Sequence, residues 1–164
     1  SLCAVVAFVF AGSAVAGEPS LVFNPQVTLP SVKVFDDERQ LDAGVSYRRG
    51  GRADWGYFFR ATSFLNEKVG LGVDFSALGE RDPEYSAGLN IFLRAPLEDL
   101  RLAPYLLMGA GYTFGGINDL YYQAGAGLDF RLTPNWGLFV EGTSQWVHEE
   151  DAALVGRVGL KFVF

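Results

Sequence analysis

The stretch DAALVGRVGLKFVF, residues 151–164, alternates between two kinds of side chain without a break. Counting back from Phe164 in steps of two gives a row with no polar side chain, whereas the alternate row carries Arg157 and Lys161. Because successive strand residues point to opposite faces, the stretch predicts a β-strand with one apolar and one cationic face. A soluble core and a lipid-facing wall both accommodate this pattern, so the other strands must discriminate between them.

The composition narrows the class of protein. The chain has 164 residues, which corresponds to about one domain. Its 20 glycines and 15% aromatic residues suit twisted strands better than packed helices. A formal net charge of −6 argues against electrostatic binding of nucleic acid. We therefore expect no nucleic-acid partner, and nothing in the sequence predicts a cofactor.

The first 39 residues differ from the rest. Residues 1–16 carry no charge and end in Ala-Val-Ala, which predicts a signal peptide that is truncated at its N-terminus. Their apolar run is shorter than the roughly 20 residues that a transmembrane helix needs. Cys3 is the single cysteine, so the mature chain is expected to lack a thiol. Residues 17–39 contain three prolines and are predicted to form an extended periplasmic leader.

From Gln40 onward, segments of about ten residues with alternating hydrophobicity are separated by turn signals. The connections are too short for a crossover helix, so neighbouring strands must be antiparallel. Residues 40–164 are therefore predicted to form an all-β domain, an eight-stranded antiparallel up-and-down β-barrel. The predicted strands are 40–49, 54–64, 68–78, 84–94, 102–114, 120–132, 135–147 and 152–164.

Two environments compete for this barrel. In a soluble, lipocalin-like barrel the apolar rows would point inward, and in a transmembrane barrel they would face lipid. The apolar rows are bulky, whereas the opposite rows combine charges with many glycines. Eight strands enclose a space just wide enough for side chains to fill, so the small, glycine-rich rows suit the interior. The pattern thus predicts a transmembrane β-barrel.

Aromatic residues on the apolar face gather near the strand ends. This distribution is typical of the two belts that membrane barrels place at the membrane–water interfaces. The predicted aromatic girdles comprise Tyr47, Trp55, Tyr57, Tyr85, Tyr112, Tyr122, Phe130, Trp136, Trp146 and Phe162.

The predicted interior contains charged side chains on every strand pair. A last hairpin centred on position 149 places Glu141 opposite Arg157, and a first hairpin centred on position 51 places Asp42 opposite Arg60. An unpaired charge in a narrow lumen costs several kcal/mol, so we expect these groups to pair and fill the lumen. An ion-conducting lumen is the alternative. The predicted lumen charge network comprises Asp42, Arg60, Asp74, Arg94, Asp129, Arg131, Glu141, Arg157 and Lys161.

Reactive groups are few. His148 is the only histidine and precedes the acidic residues 149–151. An acyl-transfer site would need a serine in reach of the histidine, and Ser144 lies four positions earlier without a His-x-Ser motif. The acidic cluster could hold a divalent cation, but acidic loops are usually only solvated. The sequence predicts no catalytic residue, no metal site and no enzyme activity.

Residues 40–164 resemble the small outer-membrane barrels of the OmpA and OmpX type, in the barrel portion only and without a peptidoglycan-binding domain. The resemblance rests on the terminal Phe164 with apolar Phe162 and Leu160, and on the segment LTPNWGL at 132–138. It implies a location in the outer membrane of a Gram-negative-type envelope, with both termini periplasmic. It also implies that Phe164 is the assembly signal recognised by the barrel-assembly machinery.

These observations lead to a functional expectation. We expect a structural role in envelope integrity, a lumen filled with side chains, contacts with outer-membrane lipids and lipopolysaccharide, and a monomeric state. A narrow porin-like or OmpW-type transporter of small or hydrophobic molecules is the first alternative. A lipid A-modifying enzyme is the second.

Overall fold

Eight strands of 10 to 13 residues contain most of the residues that can be described. The computed structural model of the protein describes residues 34–50, 54–79, 83–115, 118–147 and 152–164. The strands are β1 (Arg39–Arg49), β2 (Asp54–Phe64), β3 (Val69–Leu78), β4 (Glu84–Arg94), β5 (Leu102–Phe114), β6 (Leu120–Arg131), β7 (Trp136–Val147) and β8 (Ala153–Val163).

The strands form one closed barrel in chain order, and every neighbouring pair is antiparallel. Closure comes from β1 and β8, where Gln40 pairs with Val163 and Arg49 pairs with Leu154. A closed barrel has no free strand edge, so the wall satisfies its own backbone hydrogen bonds. The prediction of an eight-stranded up-and-down barrel is confirmed, and each strand boundary lies within one residue of its predicted position.

The barrel end that carries Arg39 and Val163, called the terminal end below, has short connections held by side chains. Asn66 Oδ1 accepts hydrogen bonds from the backbone N–H groups of Lys68 and Val69, both at 2.8 Å. Thr133 Oγ1 accepts one from the Trp136 N–H at 3.0 Å. Such local bonds replace strand pairing where the chain reverses. The β4–β5 connection contains a single 3₁₀ turn, Glu98–Leu100.

The opposite end, called the loop end, begins its connections with glycine. Gly50, Gly79 and Gly115 directly follow β1, β3 and the last residue of β5, with φ values of 138°, 98° and 96°. Backbone in this region strains any side chain that carries a Cβ. These three glycines therefore allow the chain to leave the wall where the strands end.

The outer surface of the barrel is apolar. Tyr57 is 70% exposed, Leu89 67% and Phe59 63%, and they belong to a much larger set of exposed hydrophobic side chains. A water-soluble barrel would bury such a surface, whereas strands of this length span a bilayer with their apolar side chains in the hydrocarbon. The wall therefore has the organisation of a transmembrane barrel and excludes the lipocalin-like alternative.

No helix among the described residues combines the length and hydrophobicity that a membrane-spanning helix requires.

The interior corrects one expectation. The inward rows are not only small and polar, because seven large side chains also point into the lumen. Space for them comes from glycines directly opposite: a Cβ on Gly127 would lie 2.4 Å from Tyr105, and one on Gly111 would lie 2.5 Å from Tyr121. The glycine-rich rows thus make room for rings rather than for water. The buried inward side chains of this kind are Phe58, Phe64, Phe92, Tyr105, Leu107, Tyr121 and Phe139.

Candidate functional site: the charged lumen

Charged side chains are concentrated inside the barrel because strand alternation directs them there. Among the described residues, five carboxylates and five cations are each no more than 9% exposed. Equal numbers of opposite charges allow every ion to have a counterion, which buried charges require. The ten residues are Glu38, Asp42, Asp74, Asp129 and Glu141, with Arg60, Arg94, Arg131, Arg157 and Lys161.

The central cluster is built around Glu141 on β7. Its Oε2 accepts hydrogen bonds from Arg60 Nη1 at 2.7 Å and from the Tyr105 hydroxyl at 2.9 Å. Its Oε1 accepts one from Arg157 Nη1 at 3.0 Å, and the same nitrogen lies 3.4 Å from Asp74 Oδ2. These five residues come from five different strands, so the cluster ties distant parts of the wall together across the lumen.

The register explains only part of the central cluster. Glu141 and Arg157 face each other on neighbouring strands, as do Arg60 and Asp74, so their proximity follows from hairpin pairing. The Arg60–Glu141 bond joins β2 to β7, which are not neighbours. Only the closure of the barrel brings these two strands close enough for a salt bridge. Glu141 therefore has a second cationic partner, Arg60, that hairpin pairing does not predict.

Arg60 is also surrounded by rings. Its guanidinium carbon lies 5.1 Å from the ring centroid of Phe92 and 5.5 Å from those of Phe58 and Phe139. Its Nη2 has no hydrogen-bond partner among the described residues. The ring faces attract the cation electrostatically. Arg60 therefore joins the ionic part of the lumen filling to its aromatic part.

A second group lies between the central cluster and the terminal end. Lys161 Nζ donates to Asp129 Oδ2 at 2.7 Å and lies 3.9 Å from Asp42 Oδ1. Asp42 Oδ2 is in turn 3.7 Å from Arg60 Nε. Asp42 thus connects this group to the central cluster, and the ion pairs form a continuous chain through the lumen.

The terminal mouth holds a third group, defined by Phe35, Glu38, Arg94 and Arg131. Glu38 Oε1 accepts hydrogen bonds from the guanidinium groups of both arginines. The ring of Phe35 lies 5.0 Å from each guanidinium carbon and is fully buried. Phe35 and Glu38 belong to the predicted leader, residues 17–39, but the structure places both side chains inside the barrel mouth. The predicted lumen network has four acids and five bases. Only this shortage of one acid could have indicated that Glu38 belongs to the lumen.

The loop end carries a smaller ionic group. Arg48 on β1 donates to Glu84 on β4 through two bonds, at 2.5 Å and 3.2 Å, and lies 3.6 Å from Asp54. Between this group and the central cluster the lumen contains uncharged hydrogen bonds, such as Ser76 to Ser86 at 2.6 Å. The ion pairs therefore connect the centre to the terminal end, and neutral polar contacts separate them from the ionic group at the loop end.

The predicted girdle residues lie on the outer surface. Nine of the ten side chains are exposed there, and Tyr47 is half-buried against the Trp55 ring at 4.8 Å. Near the terminal end, the rings of Trp136 and Phe162 are 4.9 Å apart, and Phe164 stacks on Phe162 at 6.1 Å. These positions agree with rings that meet the membrane surface, which is where amphipathic aromatics are most stable.

The candidate catalytic and metal-binding residues do not form a site among the described residues. His148 and the acidic residues 149–151 lie outside the described residues, so their arrangement is a sequence-based prediction only. Ser144 lies on the outward row of β7, beside Leu154 of β8. Within the described part of the chain, no group of three or more His, Cys, Asp or Glu side chains is arranged to hold a metal ion.

Comparison with known proteins identifies the fold. No family model and no curated protein matches the sequence. The chain is similar in structure to the N-terminal β-barrel domain of Pseudomonas aeruginosa OprF, with a TM-score of 0.65 and 17% identity over 79% of this chain and 99% of that one. Neisserial surface protein A gives 0.62 and 15% identity over 77% and 96%. Ail, the attachment invasion locus protein of Yersinia pestis, gives 0.55 and 16% over 79% and 99%.

Identities this low establish a shared fold, that of small eight-stranded outer-membrane barrels, and nothing finer. The likeness therefore supports the architecture described above. Function has to be argued from the chain's own residues.

Proposed function

We propose that this protein is a structural barrel of the outer membrane, which contributes to envelope integrity through its lipid-facing wall and has a lumen closed to solutes. The observation that carries the proposal is the buried charge balance of the lumen. Five acids and five bases lie inside the barrel, and they are joined by ion pairs between strands and, for Glu38, between the segment before β1 and the strands. Their side chains occupy the path that a solute would take.

Two features argue for a closed lumen rather than a pore. Ions in a conducting channel must be hydrated or bound weakly, whereas the lumen charges here are bonded to one another at 2.7 to 3.0 Å in the central cluster. Rings of Phe58, Phe92 and Phe139 take up the adjacent space. An eight-stranded barrel has little room beyond what such side chains fill.

The apolar outer surface of the barrel wall supports a location in the outer membrane. Its apolar surface fits hydrocarbon, and its fold is shared with barrels of outer membranes. By resemblance to that group, the terminal end faces the periplasm and the strand ending at Phe164 is recognised during assembly. The natural contacts of such a wall are outer-membrane lipids and lipopolysaccharide, and a monomer satisfies all of its strand edges.

Conductance tests the closed lumen directly. The purified protein is reconstituted in planar bilayers and in dye-loaded liposomes, and we expect no steady conductance and no dye release beyond that of protein-free membranes. A stable channel on the nanosiemens scale would overturn the proposal in favour of the porin-like alternative. Uptake of a hydrophobic solute by protein-containing liposomes, without ionic current, would favour the OmpW-type alternative.

A further inference from the structure

The segment just before β1 lies in the terminal mouth of the barrel. Val34 to Glu38 forms bends rather than strand, yet Phe35 is fully buried and Glu38 is 9% exposed. The two residues between them, Asp36 and Asp37, are exposed. The segment thus turns one aromatic and one acidic side chain inward and leaves two acids in solvent.

The barrel contributes partners for both the backbone and the side chains of this segment. Glu98, in the 3₁₀ turn between β4 and β5, accepts hydrogen bonds from the N–H groups of Val34 at 2.8 Å and Phe35 at 3.2 Å. The Glu38 carbonyl accepts one from the Phe64 N–H at 2.8 Å. A carboxylate that binds two successive backbone N–H groups holds the chain in one orientation. The segment is therefore bound at a specific place rather than lying loosely against the rim.

The mouth is electrostatically suited to this segment. Arg94 and Arg131 are buried, and both donate to the Glu38 carboxylate. Phe35 fills the space between the guanidinium groups and presents its ring to each of them. Without the segment, both arginines would lose the Glu38 carboxylate, and Arg131 would keep, among the described acids, only Asp129, whose Oδ1 lies 3.6 Å from its Nε. Two buried cations with so little negative charge beside them are unfavourable unless water or another anion enters.

We propose that the terminal mouth is a binding site for an acidic and aromatic peptide segment, and that the chain's own Val34–Glu38 occupies it as an internal plug. The plug separates the Lys161–Asp129–Asp42 group from solvent at this end. The proposal deepens the closed lumen proposed above, on which it rests for the barrel's orientation and environment.

Removal of the plug should open the mouth without opening a pore. The central cluster of Arg60, Glu141 and Arg157 is formed by strands alone and stays in place, so ionic current is not the appropriate readout. The appropriate readout is the accessibility of the mouth to a reagent. Ala103, the first inward residue of β5, is fully buried at this end, and cysteine there is close in size to alanine.

The test uses the full chain with Ala103→Cys as the probe and Cys3→Ser to remove the native thiol. Reaction of the probe with small anionic and cationic methanethiosulfonate reagents is followed in micelles. We expect slow labelling in this parent, and labelling faster by about tenfold or more when Phe35→Ala and Glu38→Ala are added. The anionic reagent should gain more than the cationic one, because Arg94 and Arg131 are then uncovered.

Matched variants separate a plug from general loosening. Asp36→Asn with Asp37→Asn removes two acids from the exposed part of the segment, and labelling should stay at the parent rate. Glu98→Ala loosens the backbone anchor without altering the lumen and should give an intermediate rate, while Asp99→Ala beside it should have no effect. The synthetic peptide VFDDE, residues 34–38, should slow labelling of the Phe35→Ala, Glu38→Ala protein when added in excess.

Equal labelling rates in the parent and in the Phe35→Ala, Glu38→Ala protein, with both retaining β-sheet circular dichroism, would refute the plug. If that variant fails to fold, the Glu98→Ala comparison decides: an unchanged rate there overturns the inference as well. A parent that conducts ions would defeat the closed lumen while leaving the labelling result intact, so failure of the two proposals can be told apart.

Discussion

The central cluster and the terminal mouth solve the same electrostatic problem with different parts of the chain. At the centre, Arg60, Glu141 and Arg157 all belong to strands, and their positions follow from register and closure. At the mouth, Arg94 and Arg131 belong to strands, whereas Glu38 comes from a segment that is not part of the wall. The difference shows that a barrel can complete its lumen with residues that its strand pattern does not contain.

The two clusters should also differ in how they respond to loss of an ion. At the centre the remaining charges lie among strand residues only, and the rings of Phe58, Phe92 and Phe139 surround Arg60. At the mouth the segment can move aside and let water hydrate the two arginines. Loss of an acid should therefore be more costly at the centre than at the mouth.

Glu141→Ala should have the largest effect. It leaves Arg60 and Arg157 without their shared acceptor and removes the partner of the Tyr105 hydroxyl, all in a buried site. We expect a loss of about 3–5 kcal/mol in the free energy of unfolding, measured by urea titration of the refolded protein in detergent. Glu141→Gln keeps the shape and one acceptor oxygen, and it should lose clearly less. Equal losses for both variants would mean that the negative charge of Glu141 accounts for its stabilising effect, and that the shape and acceptor oxygen kept by glutamine contribute nothing measurable.

The two central arginines should not be equivalent. Arg60→Ala removes contacts with Glu141 and Asp42 and leaves a space among the surrounding rings, so we expect a loss of about 3 kcal/mol. Arg157→Ala should lose less, about 2 kcal/mol, because Glu141 keeps its bonds from Arg60 and Tyr105, although Asp74, 3.4 Å from Arg157 Nη1, loses a salt bridge. The same urea titrations check this order. A larger loss for Arg157→Ala would place the principal counterion of Glu141 on β8 instead of β2.

Glu38→Ala should have a smaller effect than Glu141→Ala and Arg60→Ala. The arginines at the mouth lose their carboxylate but regain water as the segment withdraws, so we expect a loss of about 1–2 kcal/mol in the same titration. Asp37→Ala, which removes an exposed acid next to it, should stay within about 0.5 kcal/mol of the parent. If Glu38→Ala is as damaging as Glu141→Ala, the mouth is as closed as the centre, and the contrast between the two regions disappears.

Much of this architecture can be predicted from the amino-acid sequence. The alternation of residues 151–164 and of seven similar segments predicted strands, faces and the order of pairing, since a period of two leaves only two choices per strand. Pairing across a single hairpin could be predicted as well. The hairpin centres place Asp42 opposite Arg60 and Glu141 opposite Arg157, and the structure has the same partners.

Contacts between strands that are not neighbours could not be predicted in this way. The bond from Arg60 to Glu141 spans β2 and β7, and its existence depends on the curvature of the closed wall. The inward rings were overlooked for a related reason. Phe58 has the same parity as Arg60 and could have been assigned to the lumen, but room for it depends on where glycines fall on the facing strands.

Local sequence accounts for the alternation of eight strands between a lipid-facing and an interior row, because side-chain direction in a strand is a local property of the backbone. Tertiary structure decided which interior charges meet across the lumen and that Phe35 and Glu38 complete the mouth. Those contacts join residues that are distant along the chain, 93 positions apart for Glu38 and Arg131. Only closure of the barrel brings them within bonding distance, and no local pattern encodes that closure.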